Sequence, residues 1–98
     1  MTYSLLITED AELDLADAAL WYEVRKPNLG HEFIEAVESV LQFLQTSPMT
    51  FRLREENVRI ALVKRCPYKV IYTLEDNLVI VHAIMHAKRD PNIWVKRL

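Results

Sequence analysis

The sequence predicts an α+β fold in the order β-α-α-β-β-β, with a helical hairpin on one face of a small, mainly antiparallel sheet. Two observations predict this fold. Apolar residues recur at helical spacing through the first half of the chain, and they alternate with the period of a strand after Phe51. We expect residues 1–98 to form a single domain, because no linker, repeat or low-complexity run divides them.

The first strand and the first helix are predicted from the residues up to Val24. Tyr3–Ile7 is a short apolar run, and Thr8 or Asp10 after it is suited to cap a helix. One face of that helix carries Ala11, Leu15, Ala18, Ala19 and Tyr22. A second apolar stripe consists of Leu13, Leu20 and Val24, with Trp21 beside it. Burial in the core and contact with a partner are both open for this second stripe.

A second helix follows the break at Pro27 and Asn28, with Asn28 placed to cap it. Its apolar stripe consists of Phe33, Val37, Val40, Leu41 and Leu44, and Ser47 and Pro48 end it. Two helices joined by so few residues run antiparallel.

Three strands are predicted in the second half, at residues 58–63, 68–74 and 78–85. Lys64–Pro67 forms the first turn, and Asp76 and Asn77 form the second. If the second turn has two residues, Lys69 lies opposite Ile84 and Ile71 lies opposite His82. One face of the sheet then carries Arg59, Lys69, Thr73, His82 and His86. The other face, which receives the helices, carries Tyr68, Val70, Tyr72, Val79, Val81 and Met85.

Charge is divided unevenly along the chain. Residues 1–50 carry two basic and nine acidic residues, a sum of −7, and residues 51–98 carry ten basic and five acidic residues, a sum of +5. A basic second half favours an anionic partner there, either nucleic acid or an acidic protein segment. The alternative is that charges on a solvated face have segregated by chance.

Composition also narrows the compartment and the chemistry. No apolar run is long enough to span a bilayer, and no signal-peptide pattern opens the chain. Cys66 is the one cysteine, so an internal disulfide is excluded and we expect a reducing cytoplasm. The spacing of histidines, carboxylates and the cysteine does not predict a metal site, and we expect no cofactor.

Three stretches together resemble the RelE/ParE superfamily of small bacterial toxins. The first is the helical pair up to Pro48. The second is Val58-Arg59 followed by Lys64–Tyr72, and the third runs from Val81 through His86 and Arg89-Asp90-Pro91 to Trp94. Their order and spacing cover nearly the whole chain. Cys66 departs from the family, which usually carries phenylalanine at that turn.

The resemblance implies the toxin of a type II toxin–antitoxin pair, as in plasmid stabilisation systems, which inhibits growth until a cognate antitoxin neutralises it. The leading interpretation is a ParE-like toxin that binds a DNA-processing enzyme such as DNA gyrase. The alternatives are a RelE-like, ribosome-dependent mRNA endoribonuclease and a degenerate homologue that binds its antitoxin without toxicity. A homodimer and a heterotetramer with the antitoxin are both open.

The resemblance also suggests site residues. Lys69 and Arg89 match two family arginines that clamp phosphate in the nuclease branch, and His86 would act as base or acid there. A structural role for His86, holding the tail after the last strand, is the alternative. The paired sheet lysines and the terminal tyrosine of that branch have no match. The predicted surface for a target or an antitoxin consists of Arg59, Lys64, Arg65, Lys69, Lys88, Arg89, Trp94 and Arg97.

Overall fold

The computed structural model describes residues 2–55, 57–89 and 97. In these residues two helices and five strands follow one another as β1 (Ser4–Ile7), α1 (Glu9–Arg25), α2 (Leu29–Leu44), β2 (Leu53–Glu55), β3 (Val58–Leu62), β4 (Tyr68–Glu75) and β5 (Leu78–His86). The predicted α+β fold is confirmed. The additional element is β2, whose three residues are too few for an alternating pattern to stand out in the sequence. Neither helix is both long and apolar enough to cross a membrane.

The strands of the described chain form one mixed sheet in the order β1-β5-β4-β3-β2. The last four strands pair antiparallel in sequence order. β1 instead pairs parallel with β5, from Ser4 beside Leu78 to Ile7 beside Val81. The connection from β1 therefore passes through both helices before the chain returns to the sheet, which sets the helical hairpin on one face.

The main core lies between that hairpin and the sheet. α1 contributes alanines, which allow a close approach, and α2 contributes the larger apolar residues that its stripe predicts. The buried members include Ala11, Ala18, Phe33, Val37, Leu41, Leu44, Val70, Tyr72, Val79, Val81 and Ile84. Val40, the remaining member of the predicted stripe, is half-buried. We call this the helix face of the sheet, and the opposite side the open face.

Thr8 caps α1 as predicted, because its hydroxyl oxygen accepts a hydrogen bond from the Ala11 amide at 3.2 Å. Asn28 occupies the predicted cap position of α2 with a left-handed backbone, φ 74°, but its side chain makes no cap bond. The carboxylate of Glu23 takes its place and accepts from the amides of Asn28 at 2.8 Å and Gly30 at 2.9 Å. A negative charge at this helix end is favourable.

The predicted register between β4 and β5 holds only near the turn. Glu75 pairs with Leu78 and Tyr72 with Val81, but then the pairing shifts by one residue, so that Ile71 lies opposite Ala83. His82 is the extra residue of this β-bulge. Lys69 consequently lies opposite Met85, and the prediction that it faces Ile84 is wrong.

The bulge reverses the faces of the residues that follow it. Ile84 belongs to the helix-face core, whereas Met85 packs on the open face with Ile71 and Ala83. The prediction that Met85 faces the helices is therefore wrong. His86 pairs with Tyr68 and shares its helix face, so its predicted position beside Lys69 is wrong as well.

Arg59 also lies on the helix face, because it pairs with Tyr72 across β3 and β4. Its predicted position beside Lys69 is wrong, since the sequence did not fix the register of that hairpin. Lys69, Thr73 and His82 do share the open face, where the Thr73 hydroxyl and His82 Nε2 are hydrogen-bonded at 2.8 Å. Burial lowers the pKa of His82, partly offset by the charge of Glu75.

We predict that Gly30→Ala destabilises the fold, although alanine is ordinarily the better helix former by about 1 kcal/mol. A Cβ at Gly30 would lie 2.5 Å from the Ala19 carbonyl oxygen, because α1 and α2 pack closely there. Moving the helices apart should cost roughly 1–3 kcal/mol of unfolding free energy, as other overpacked sites do. Urea unfolding measures it, and a gain in stability would contradict the close helix contact.

Candidate functional site

Exposed cationic side chains gather where the β3–β4 turn meets the segment after β5. The two segments adjoin, because the Ala87 amide donates to the Pro67 carbonyl at 2.6 Å. Lys64 and Arg65 are exposed on the turn, and Lys88 and Arg89 are exposed on the segment. We call these four residues the basic end. Their concentration at one end provides a surface that favours an anionic partner.

Lys69 lies beneath the basic end rather than on it. Its side chain is buried on the open face, with 7% of its surface exposed. Its ammonium donates to the backbone carbonyls of Ala87 at 3.5 Å and Arg89 at 3.3 Å. These contacts tie the segment after β5 to the middle of the sheet, and they occupy the ammonium that the sequence predicts as a phosphate or partner contact.

His86 holds the same segment from the other face of the sheet. Its Nδ1 accepts a hydrogen bond from the Lys88 amide at 3.1 Å, and its ring lies 5.5 Å from that of Tyr68. This is the geometry expected of a residue that fixes the tail. A nitrogen that accepts an amide hydrogen bond carries no proton of its own, so in this tautomer only Nε2 is free to exchange one.

A groove between α1 and β5 contains His86 and the predicted phosphate-binding Arg89. Its lining includes Asp14, Asp17, Trp21, Tyr68, His86 and Arg89, around roughly 550 Å³. Burial raises the pKa of Tyr68, and the positive charge of Arg89 partly offsets this. Arg89 is thus the one predicted phosphate ligand whose side chain borders an open groove together with His86.

A larger groove, which we call the α2–β3 groove, runs between α2 and the edge of β3 and encloses roughly 840 Å³. Its lining is mainly apolar and includes Phe33, Ala36, Val40, Phe43, Phe51 and the exposed Leu62. Lys64 and Arg65 of the basic end border it, as do Glu32 and Glu35 of α2. An apolar trough with charged margins is suited to an amphipathic segment of another protein.

Arg59, another predicted contact residue, is half-buried and engaged within the chain. Its Nη1 donates to the Phe51 carbonyl at 2.6 Å. The neighbouring Tyr72 hydroxyl donates to the Pro48 carbonyl at 2.6 Å, and burial raises the pKa of Tyr72 to about 12, against the opposing charge of Arg59. Both side chains therefore fasten the loop between α2 and β2 to the sheet.

Asp14 is the functional-site residue that the sequence analysis missed. Its carboxylate accepts the Ile84 amide at 3.0 Å and forms a two-point pair with the Arg97 guanidinium at 2.6 and 3.2 Å. Arg97 also donates to the His82 carbonyl at 3.1 Å. Arg97, predicted as a contact residue, is therefore paired inside the molecule. The signal was present, because Asp14 interrupts the apolar stripe between Ala11 and Ala18.

Trp94, the remaining residue of the predicted contact surface, lies outside the described residues. Across residues 2–55, 57–89 and 97, no group of three histidine, cysteine or carboxylate side chains is arranged to hold a metal ion. Cys66 is half-buried and borders the α2–β3 groove, and burial raises the pKa of its thiol.

A family model and several solved structures are similar to this chain. The family model described as "ParE toxin of type II toxin-antitoxin system, parDE" matches residues 5–91. A comparison with curated proteins found no match. Among solved structures, the mutant RelE toxin of E. coli in the free state is similar, with a TM-score of 0.72 at 18% identity, over 100% of this chain and 99% of that one.

Two further solved structures share the fold. A chain of the chromosomal ParDE toxin–antitoxin system from P. aeruginosa has a TM-score of 0.63 at 16% identity, over 87% of this chain and 96% of that one. A chain of the toxin–antitoxin complex RelBE2 from Mycobacterium tuberculosis has a TM-score of 0.60 at 21% identity, over 88% and 99%. At these identities the structural likeness supports the fold alone.

We predict that Asp14→Ala lowers the unfolding free energy by about 2 kcal/mol, because it leaves the Ile84 amide without its acceptor and leaves Arg97 with the more distant carboxylate of Asp10, at 3.8 Å. Denaturant titration measures the loss, and Glu38→Ala, at an exposed acid of α2, is the matched control. Equal stability of the two variants would contradict the bracing role of Asp14.

Proposed function

This chain belongs to the ParE toxin family of type II toxin–antitoxin systems, and we propose that it inhibits growth by binding a DNA-processing enzyme such as DNA gyrase rather than by cutting RNA. Family membership confirms the resemblance that the sequence predicts. The choice of target is the proposal. The observation that carries it is that Lys69 and His86 lie on opposite faces of the sheet.

RNA cleavage requires a base, an acid and cationic donors around one phosphate. In this chain the Lys69 ammonium is buried and held by two carbonyls, and His86 lies across the sheet with one nitrogen committed to the Lys88 amide. Of the three residues predicted for a nuclease, Arg89 and His86 border the same groove, and Lys69 does not. This separation favours inhibition by binding over nucleolytic chemistry.

The basic end supports a protein target that carries negative charge. Its four cations are exposed on two adjoining loops that a backbone hydrogen bond connects. Lys69 and His86 hold the second of these loops from the two faces of the sheet. A rigid cationic surface accelerates and orients binding to an anionic partner, and its effect weakens as salt screens it.

We propose the α2–β3 groove as the site of the cognate antitoxin. The groove combines an apolar lining with Lys64 and Arg65 at its margin, so it suits a helix or strand that has apolar anchors and acidic flanks. Occupation of this groove would also cover half of the basic end. That overlap would explain how one partner neutralises the surface that binds the other.

We predict that the purified protein inhibits DNA supercoiling by gyrase and leaves mRNA intact on translating ribosomes. Lys88→Glu combined with Arg89→Glu should raise the half-inhibitory concentration by at least about tenfold, since two contacts reverse their charge. Arg52→Glu with Arg54→Glu, at two exposed arginines near β2, is the matched control. Cleavage of ribosome-bound mRNA that Lys69→Ala abolishes would overturn this choice of target and support a RelE-like nuclease.

We also predict that the antitoxin neutralises this chain by binding to the α2–β3 groove. Expression of the toxin alone should arrest growth, and co-expression of the adjacent small reading frame should restore it. Leu62→Glu puts a charge in the groove lining and should weaken antitoxin binding by at least about tenfold in titration calorimetry. Leu20→Glu on α1 is equally exposed and serves as control. Equal affinities of the two variants would contradict the groove as the antitoxin site.

A further inference from the structure

We propose that the outer face of α1 binds a second copy of this chain, with the two α1 helices packed antiparallel. Leu13, Leu20 and Val24 are 56, 64 and 75% exposed there. They lie opposite the alanines that α1 buries against the sheet. The structure thereby excludes one of the two alternatives that the sequence left open, because this second apolar stripe is not part of the chain's own core. The inference holds whichever target the toxin binds.

The spacing of the stripe is that of a helix–helix seam. Leu13, Asp17, Leu20 and Val24 follow one another at intervals of four, three and four residues. Alternating steps of four and three residues are those of positions that meet along two packed helices. The stripe from Leu13 to Val24 therefore runs for about 17 Å of the 17-residue helix, roughly one and a half heptads. We refer to these four residues as the α1 seam.

The charges of α1 determine its orientation against a second copy. Its first turn carries Glu9, Asp10 and Glu12, whereas its last turn carries Arg25, and Lys26 follows directly. The Arg25 guanidinium lies 3.3 Å from the Trp21 ring centre, which holds it at the exposed side of the helix. Antiparallel packing brings each basic end to the partner's acidic end, while parallel packing would bring acid to acid.

The same self-complementarity favours a second copy over another occupant. α1 contains six acidic residues and one basic residue, so an acidic segment without cations of its own, the kind of partner to which the basic end is suited, would meet only repulsion along it. A second copy supplies its own Arg25 and Lys26 to the acidic turn. Two opposed helix dipoles add to the attraction. A two-fold pair also uses the same patch on both subunits and closes without further growth.

A two-fold axis between residues 18 and 19 aligns Leu13 with the partner's Val24. It also aligns Asp17 with the partner's Leu20. Asp17 is thus the one charged residue of the seam, and a single polar residue there lowers stability while it fixes the register. The exposed apolar area is smaller than the roughly 800 Å² per partner of a standard interface. The dimer should therefore be weak and should depend on protein concentration.

Sedimentation equilibrium of the full chain over a range of concentrations tests the proposal. The wild type should show a monomer–dimer equilibrium. Leu20→Glu should raise its dissociation constant by at least about tenfold, because it puts like charges beside Asp17 of the partner. Leu62→Glu is the matched control, since Leu62 and Leu20 are 65 and 64% exposed. Asp17→Leu, which makes the seam continuous, should lower the constant by at least about tenfold.

Val24→Glu provides a second disruptive variant, and circular dichroism checks that each variant keeps its helices. If the wild type and Asp17→Leu both stay monomeric throughout, the proposal is wrong. It is also wrong if Leu62→Glu dissociates the dimer and Leu20→Glu does not, because the interface then lies elsewhere. Weaker antitoxin binding by Leu20→Glu, with self-association unchanged, would assign the seam to the antitoxin and overturn the proposal.

Discussion

The arrangement of this molecule depends on a one-residue bulge at His82. β5 has a parallel neighbour only as far as Val81, where β1 ends and the chain turns into α1. The next residue is the extra one, and β-bulges are frequent where a strand becomes an edge. The bulge brings the bulky Ile84 into the helix-face core and leaves the smaller Ala83 on the open face. One residue thus decides which face each later side chain occupies.

In the part of the chain that the structure describes, side chains rather than a strand pair with the β5 backbone beyond the bulge. The Asp14 carboxylate accepts the Ile84 amide, and Arg97 donates to the His82 carbonyl while it pairs with Asp14. An unpaired strand edge invites association with another chain, so this pairing both satisfies the backbone and protects it. It also fastens the inner side of α1 to β5. The outer side of α1, with its apolar seam, is left to solvent.

The same bulge separates two residues that the sequence brings together. Lys69 supports the segment after β5 from the open face, and His86 supports it from the helix face. Two of the three residues predicted for a nuclease thus hold a loop, and that loop carries Lys88 and Arg89 into solvent. Lys69 is therefore engaged within the chain, whereas Lys88 and Arg89 are exposed and available to a partner.

Much of the fold could be predicted from the sequence, because it rests on local patterns. The α2 stripe, the Thr8 cap and the turn at Asp76 all follow from neighbouring residues. The errors arose where distant groups decide. Glu23 replaces Asn28 as the cap of α2 from the preceding helix, and Asp14 reaches β5 from 70 residues away. The bulge has no local signature, since His82 is an ordinary strand position until β1 ends beside it.

The site was harder to predict for the same reason. A shift of one residue exchanges the two faces of a strand, so a face assignment is only as good as its register. Lys69 and Arg89 are close in the structure, but their contact is a hydrogen bond from the Lys69 ammonium to the backbone carbonyl of Arg89. Arg59 and His86 lie on the helix face and not on the predicted face beside Lys69, and Arg97 pairs with the carboxylate of Asp14. The basic end retains Lys64, Arg65, Lys88 and Arg89 of the predicted surface.

The register of β4 against β5 is the most direct test of this account. Cross-strand backbone NOEs in isotopically labelled protein report which residues face each other. With the bulge in place, the strongest such contact of Lys69 is with Met85, that of Ile71 is with Ala83, and the His86 ring contacts Tyr68. Strongest contacts from Lys69 to Ile84 and from Ile71 to His82 would remove the bulge, return His86 to the face of Lys69, and contradict the separation on which the binding mechanism is based.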